Sequence, residues 1–375
     1  MTTLDPERQR QAKEYARINR RLWLVDTLFG GLYAVLWLAT GWSVALRVWL
    51  ETFSTNPWFI VAGYAAVFGG ILFLIGLPLS YYSGFVLPHR FDQSTQSLKG
   101  WISDQAKGLL IGVPLGLLLV EMLYLALRVT GDAWWLWAAA GILIFSVIIG
   151  NLAPVLIMPL FNKYVPLGEE HADLAARLIG LAERAHTRVR GVYKFDMSRR
   201  TKAANAALTG MGNTRRIILG DTLINEFTTD EIETVLAHEL GHHVHRDIPV
   251  LMLLGTLTTT LGLYIASVAM GWAVTAFGLT SVADPAGMPA LMLILGAYSL
   301  LTMPLENGFS RWRESMADDY ALAATGKNEA FASAFTRLAN QNLGDVDPEH
   351  WVVWVFYSHP PLGERIAKAR RWKPA

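Results

Sequence analysis

No cysteine occurs in the 375 residues, which excludes disulfides, thiolate metal sites and a cysteine nucleophile. Charge is scarce too: 17% of residues are charged, the formal net charge is +1, and no basic stripe points to nucleic acid or to any bulk electrostatic partner. There is no internal repeat and no low-complexity tract. What the chain has in quantity is apolar side chains, 53% of all residues, which points away from an ordinary soluble protein and towards a membrane.

Six stretches are long enough to cross a hydrocarbon core, which takes roughly 17 to 25 apolar residues: 22 to 46, 57 to 87, 108 to 127, 133 to 161, 248 to 279 and 288 to 309. The second and fifth are overlong and are expected to continue past the lipid. The first follows a charged start but is too long for a signal-peptide core and lacks a convincing cleavage site, so it reads as a retained span.

The loops at 50 to 56 and 280 to 287 lack any Lys or Arg, whereas the other connections are basic. Six such residues (Arg8, Arg10, Lys13, Arg17, Arg20, Arg21) precede the first span, three (Arg90, Lys99, Lys107) separate the second from the third, twelve lie between the fourth and fifth, and nine follow the sixth. Arg47 and Arg128 alone fall at the other ends. The positive-inside rule then places both termini and the large segment 162 to 247 in the cytoplasm. Trp134, Trp135 and Trp137 fall where an outer aromatic belt would lie. Glu121 is mid-span, where a carboxylate faces a wet cavity or a partner helix rather than lipid; Asp26 is close enough to a span end to reach the interface.

In the polar insert, Leu174, Ala175, Leu178 and Leu181 recur at helical spacing between Gly168 and His186. Residues 189 to 195 and 215 to 220 read as short strands, with NAALTGMGN (205 to 213) between them as a turn-rich hairpin candidate. Thr228, three residues before Glu231, marks a capping-box helix start. That helix carries VLAHELGHHVHRD, 235 to 247.

His238-Glu239-Leu240-Gly241-His242 is an HExxH pattern. Two histidines four apart stand one turn above each other and can share a zinc ion, while Glu239 can hold the attacking water as general base. His243 points roughly 100° away from His242, and His245 lies some 10 Å along the axis from His238, so both read as surface or membrane-border residues. A third ligand is required, and no histidine follows at the short HExxHxxGxxH spacing. Glu314 in SRWRESMADDYA (310 to 321) is the leading candidate, with Glu306 and Glu329 as competitors. Asp318, four residues on, would share the face of Glu314 and could receive a ligand histidine's second N–H, whereas Asp319 points elsewhere. His359, held extended by two following prolines in YSHPPLGERI (357 to 366), could donate to the oxyanion of a tetrahedral intermediate; a turn histidine is the structural alternative.

Together these stretches resemble the type I CAAX prenyl protease family, integral-membrane gluzincin zinc metalloproteases, from about residue 75 onwards. GLPLSYYSGFVLPHRF, QSLKGWISDQAK, APVLIMPLFNKYVPL, SRRTKAANAALTG, RRIILGDTLI, HELGHH, RWRESMADDYA, and NLG followed by WVFYSHPPLGERI carry the resemblance in order. It implies a mainly α, polytopic fold: about six transmembrane helices around a water-filled chamber, with a cytoplasmic α+β gluzincin-type domain closing one end. The chain would divide into four spans (1 to 161), the metalloprotease insert (162 to 247), two further spans (248 to 309) and a C-terminal segment completing the site (310 to 375).

By that resemblance one Zn2+ per chain is held by His238, His242 and Glu314, Glu239 and His359 are catalytic, Asp318 stands behind the site, and Asn205 and Ala206 match the edge strand where a peptide adds by backbone pairing. The implied substrate is a peptide or protein, prenylated in the family's case; the implied setting is a bilayer, and the cysteine-free chain without an organellar signal suits a bacterial inner membrane. Two alternatives are a quality-control protease with no prenyl requirement and an inactive chamber protein acting as transporter or scaffold. The signature of the second would be a lost metal-motif residue, and none is lost. The chain departs from the family in lacking the first of seven spans, in Ala203 where a histidine stands, and in Ala207, Leu208 and Thr209 where aromatic residues stand.

Overall fold

The computed structural model describes residues 2 to 210 and 214 to 374. The N-terminal half is helical: α1 (Pro6–Ala39), α2 (Trp42–Glu51), α3 (Pro57–Tyr81), α4 (Leu87–Arg90), α5 (Leu98–Val129), α6 (Trp134–Leu152) and α7 (Met158–Phe161). The first span differs from the expected 22 to 46. Gly41, at φ 74°, ends the helix in a conformation that suits a residue without Cβ, and residues 42 to 51 fold back as the separate α2. At the other end α1 reaches back to Pro6, its first turn capped by Asp5. The second and fourth spans each widen into a π-helical turn, at Tyr82–Val86 and Ala153–Ile157, next to Pro88 and at Pro154, whose missing N–H groups interrupt the α-helical ladder.

The insert then runs β1 (Tyr164–Pro166), α8 (Ala172–Arg184), β2 (Val192–Phe195), β3 (Ala206–Thr209), β4 (Arg216–Gly220), α9 (Asp221–Glu226) and α10 (Thr229–Val244). It is followed by the spans α11 (Asp247–Phe277) and α12 (Met288–Thr325), and by α13 (Asn328–Gln341), α14 (His350–Phe356) and α15 (Leu362–Arg371). The sheet order is β1-β2-β4-β3. β2 and β4 run parallel, with Val192 opposite Ile217, and β3 pairs antiparallel with β4, with Ala206 opposite Leu219. Within the expected turn-rich stretch at 205 to 213, Ala206–Thr209 is therefore strand, because Ala206 and Leu208 have a hydrophobic core to pack against; the last three residues of the stretch lie outside the described ones. β3 is an edge strand, with one side paired to β4.

Among the described residues, six helical segments are long and apolar enough to cross a membrane. Their contacts close a ring: α1 touches α3, α3 touches α5, α5 touches α6, α6 touches α11, α11 touches α12, and α12 returns to α1. The ring is hollow. A solid bundle would bury a broad stripe of every helix, yet in the most apolar window of the fourth span 0% of residues are buried, and in those of the third and fifth 11%.

One end of the hollow is plugged. Tyr33, Trp37, Tyr64, Phe68, Tyr124, Trp134, Leu263 and Met270 form a continuous core there with Leu46 and Leu50 of α2. Trp134 belongs to this core rather than to the expected lipid belt, whereas Trp137 is exposed. Glu121 is half-buried on α5 beside Ala62 of α3. Asp26 is exposed and lines a cavity of about 1030 Å³ bounded by α1, α3 and α12.

A second core closes the other end. It gathers Leu178 and Leu181 of α8, Ile217 and Leu219 of β4, Ile232, Leu236 and Leu240 of α10, Leu322 of α12, Phe331 and Phe335 of α13, and Ile366 of α15. Each such side chain contributes roughly 1.5–3 kcal/mol. An ion cluster ties its rim together: Arg177 and Lys327 each reach Asp230 and Glu233 at 2.6 Å. The capping box is present, Thr228 Oγ1 accepting from Glu231 N–H at 3.3 Å and Glu231 Oε2 accepting from Thr228 N–H at 2.8 Å.

Candidate metal centre and active site

α10 and α12 cross at closest approach where Gly241 meets Ala317. A Cβ on Gly241 would lie 2.9 Å from the Ala317 Cα, so only glycine lets the two backbones meet this closely. The crossing puts His238 and His242 on one face of α10 opposite Glu314 and Asp318 on one face of α12.

Ligand-type atoms of three residues converge there. Nε2 of His238 and Nε2 of His242 are 3.2 Å apart; Glu314 Oε2 is 3.2 Å from the first, and Glu314 Oε1 is 3.4 Å from the second. A tetrahedron with metal–ligand bonds of 2.0–2.1 Å has edges of about 3.3–3.4 Å, so these separations between the two imidazoles and the carboxylate are close to those zinc requires.

The hydrogen bonding leads to the same conclusion. His238 Nδ1 faces Asp318 Oδ1 at 2.9 Å, and His242 Nδ1 faces Asp247 Oδ2 at 2.6 Å. Each carboxylate draws the ring proton to Nδ1, leaving two Nε2 lone pairs facing each other across 3.2 Å. Glu314 Oε2, buried, has no hydrogen-bond partner among the described residues. Three electron-pair donors aimed at one point fit a bound cation.

The competing acids lie elsewhere: Glu306 and Glu329 are exposed, and Asp319 pairs with Lys368 at 2.8 Å. His243 is half-buried outside the group, and His245 packs edge-on against Tyr320. Glu239 is half-buried beside the ligands. Burial pushes its carboxyl up, and the imidazoles of His238 and His242 pull it partly back. For His238, burial and Arg365 work against a charge, but with no metal ion between them the carboxylates of Asp318 and Glu314 outweigh both and raise it to about 9, the same attraction for positive charge that would draw a metal ion there in place of the second ring proton.

His359, in the turn between α14 and α15, brings Nε2 to 3.1 Å from Glu314 Oε1, with 56% of its side chain exposed. Ala206 begins the edge strand and Asn205 immediately precedes it, its carbonyl accepting from Gly220 N–H.

Two contributors escaped the sequence reading. Arg365, only six residues after His359, grips Asp318 through two nitrogens at 2.5 and 2.9 Å and lies over the Phe335 ring at 4.0 Å. Asp247 closes the very stretch that carries the motif. Carboxylates and cations at these distances from a motif leave no periodic trace.

The family profile described as Peptidase family M48 matches residues 169–373, more than half of the chain. This chain belongs to peptidase family M48. A second profile, CAAX prenyl protease N-terminal, five membrane helices, matches residues 1–163, so the likeness extends well before the residue 75 from which the motifs carry it. Among curated relatives, CAAX prenyl protease 1 of Saccharomyces cerevisiae is 32% identical over 78% of this chain and 68% of its own length. The Bacillus subtilis protein named uncharacterized metalloprotease YhfN is 29% identical over 98% of this chain and 87% of its own. The crystal structure of S. mikatae Ste24p has the same fold, with a TM-score of 0.83 over 98% of this chain and 90% of that one, at 24% identity. The M48 chain described here is thus a multi-pass membrane zinc metalloprotease acting on peptide or protein substrates, and the transporter or scaffold alternative is not favoured.

Proposed function

We propose that this M48 protease hydrolyses a peptide bond in chains that enter the ring from the bilayer, as CAAX prenyl proteases process the C-termini of prenylated proteins. One zinc per chain is held by His238, His242 and Glu314; the observation that carries this is the convergence of the two Nε2 atoms and the Glu314 carboxylate at separations of 3.2 to 3.4 Å. When bound, zinc supplies Lewis-acid chemistry, polarising the scissile carbonyl and making water acidic enough to attack near neutral pH.

The chain's own residues do the rest. Glu239, its carboxyl raised by burial, is matched to accept the water's proton and hand it to the leaving amine. His359, whose Nε2 already reaches the Glu314 carboxylate, donates to the oxyanion. Asp318 keeps the His238 proton on Nδ1. Asn205 and Ala206 start the binding strand, which the free edge of β3 supports, since an added peptide strand satisfies its open backbone groups. The division at residues 161, 247 and 309 belongs to this reading, as do a cytoplasmic site and a bacterial cell membrane; the basic residues crowding the ends of the spans next to the site support that orientation.

The test is to compare, in detergent or vesicles, a farnesylated CAAX peptide with its unprenylated twin. Preferential cleavage of the farnesylated peptide is expected. Equal rates would remove the prenyl requirement and favour the quality-control alternative.

A further inference from the structure

Between α10 and α11 the chain turns on a single residue, Arg246, at φ 55° and ψ 44°, a left-handed conformation rare for a side chain of this size. The turn returns the next residue, Asp247, to the metal ligand it has just passed. Its Oδ2 lies 2.6 Å from Nδ1 of His242. Its other oxygen, Oδ1, accepts from Arg313 Nε at 2.6 Å and from a second nitrogen of the same guanidinium. That second nitrogen also donates to the His245 carbonyl at 2.6 Å, so one side chain holds both the carboxylate and the turn that delivers it. Asp247 is 3% exposed and Arg313 8%.

We propose that Asp247 and Arg313 are a positioning pair: they orient His242 for the metal and fasten it to the root of α11. The inference rests on the reading of His242 as a ligand and names what holds it.

The physical case has three parts. A carboxylate on Nδ1 fixes the tautomer that leaves Nε2 free, stops the ring from rotating and makes it a stronger electron-pair donor. Arg313 neutralises that carboxylate, so the buried ion pair adds no net charge beside the metal ligands. The third part is connectivity. Asp247 is the first residue of α11, and Arg313 immediately precedes ligand Glu314 on α12, so the pair joins both spans to a ligand on α10. His238 has a matching support in Asp318 and Arg365. Both histidines are therefore braced from behind, and His242 is braced by the start of a membrane span.

The experiment uses the full chain purified in detergent, with the zinc dissociation constant measured against a chelator of known affinity and the unfolding midpoint measured on metal-free protein. Asp247→Asn is expected to weaken zinc binding roughly 10- to 100-fold while the metal-free midpoint stays near that of the unaltered chain. Arg313→Lys, which keeps the charge but loses the fork, is expected to show a smaller loss. Zinc held by Asp247→Asn as tightly as by the unaltered chain overturns the inference; so does a metal-free midpoint lowered as far as the zinc-loaded one, which would make the pair a folding element only. If Asp247→Asn does not accumulate folded, Asp247→Glu, which keeps the charge but displaces the oxygen, is expected to lose zinc in the same way, and tight binding by it overturns the inference equally. His242→Ala separates the two levels: zinc retained there at full affinity defeats the ligand reading, whereas zinc lost there but kept in Asp247→Asn defeats the positioning pair alone.

Discussion

Glu314 Oε2 lies 3.2 Å from Nε2 of His238, buried, and makes no hydrogen bond to it. In the neutral ring that a metal ion needs, the proton sits on the far nitrogen, against Asp318, and the two atoms then face each other as electron-pair donors. Such a pair is costly in a dry site unless a cation lies between them.

Removing that oxygen should therefore remove metal. Glu314→Ala is expected to lose bound zinc on gel filtration, measured by elemental analysis, with cleavage falling in parallel. Unchanged zinc content would move the third ligand to another residue.

The contact between Gly241 and Ala317 sets how closely α10 approaches α12. Gly241→Ala puts a methyl 2.9 Å from the Ala317 Cα, so the helices must separate by a few tenths of an ångström. A loss of about 1–3 kcal/mol in stability is expected, with weaker zinc binding because His242 and Glu314 ride on the two helices. Thermal unfolding with and without zinc measures both effects.

These features differ in how visible they are in the chain. The spans can be read because about twenty apolar residues in a row have few other uses, and the HExxH spacing because one helical turn fixes it. Glu314 was one of three acids until the fold chose it. The brace on His242 is invisible because it depends on Arg246 adopting a left-handed conformation that nothing local in an arginine demands. β1 is three residues ending in proline, too short for alternation to show, and exists because β2 offers it an antiparallel edge. The closing of the ring by six helices follows from contacts between α1 and α12, far apart in sequence.

The rim of the soluble end should respond to acid. Hydrogen bonds from Lys327 and Arg177 hold the Asp230 carboxyl below its ordinary 3.8. At Glu233 burial pushes the carboxyl up, but the same two cations outweigh it and hold it below 4.5. A carboxyl lowered in the folded state contributes stability that is fully present above its ordinary value and is lost as pH falls through the lower folded-state value. The unfolding midpoint is expected to hold above about pH 5 and to fall below pH 4. Lys327→Met should flatten that fall, and an unchanged acid slope would argue against the cluster's role.

His359 touches Glu314 but lies outside the convergent group of His238, His242 and Glu314. His359→Ala is expected to keep its zinc and lose about 10²–10³-fold in kcat, the size of a lost oxyanion donor, with KM little changed. A drop in zinc content equal to that of Glu314→Ala would make His359 a ligand instead.

The central claim is that Glu239 moves the proton at a zinc site built by α10 and α12. Its most direct test is Glu239→Gln in the full chain, assayed for zinc content and peptide cleavage in the same preparation. The account predicts one zinc per chain and a fall in kcat of at least about 10²–10⁴-fold. Cleavage at the unaltered rate by the zinc-loaded variant would contradict it.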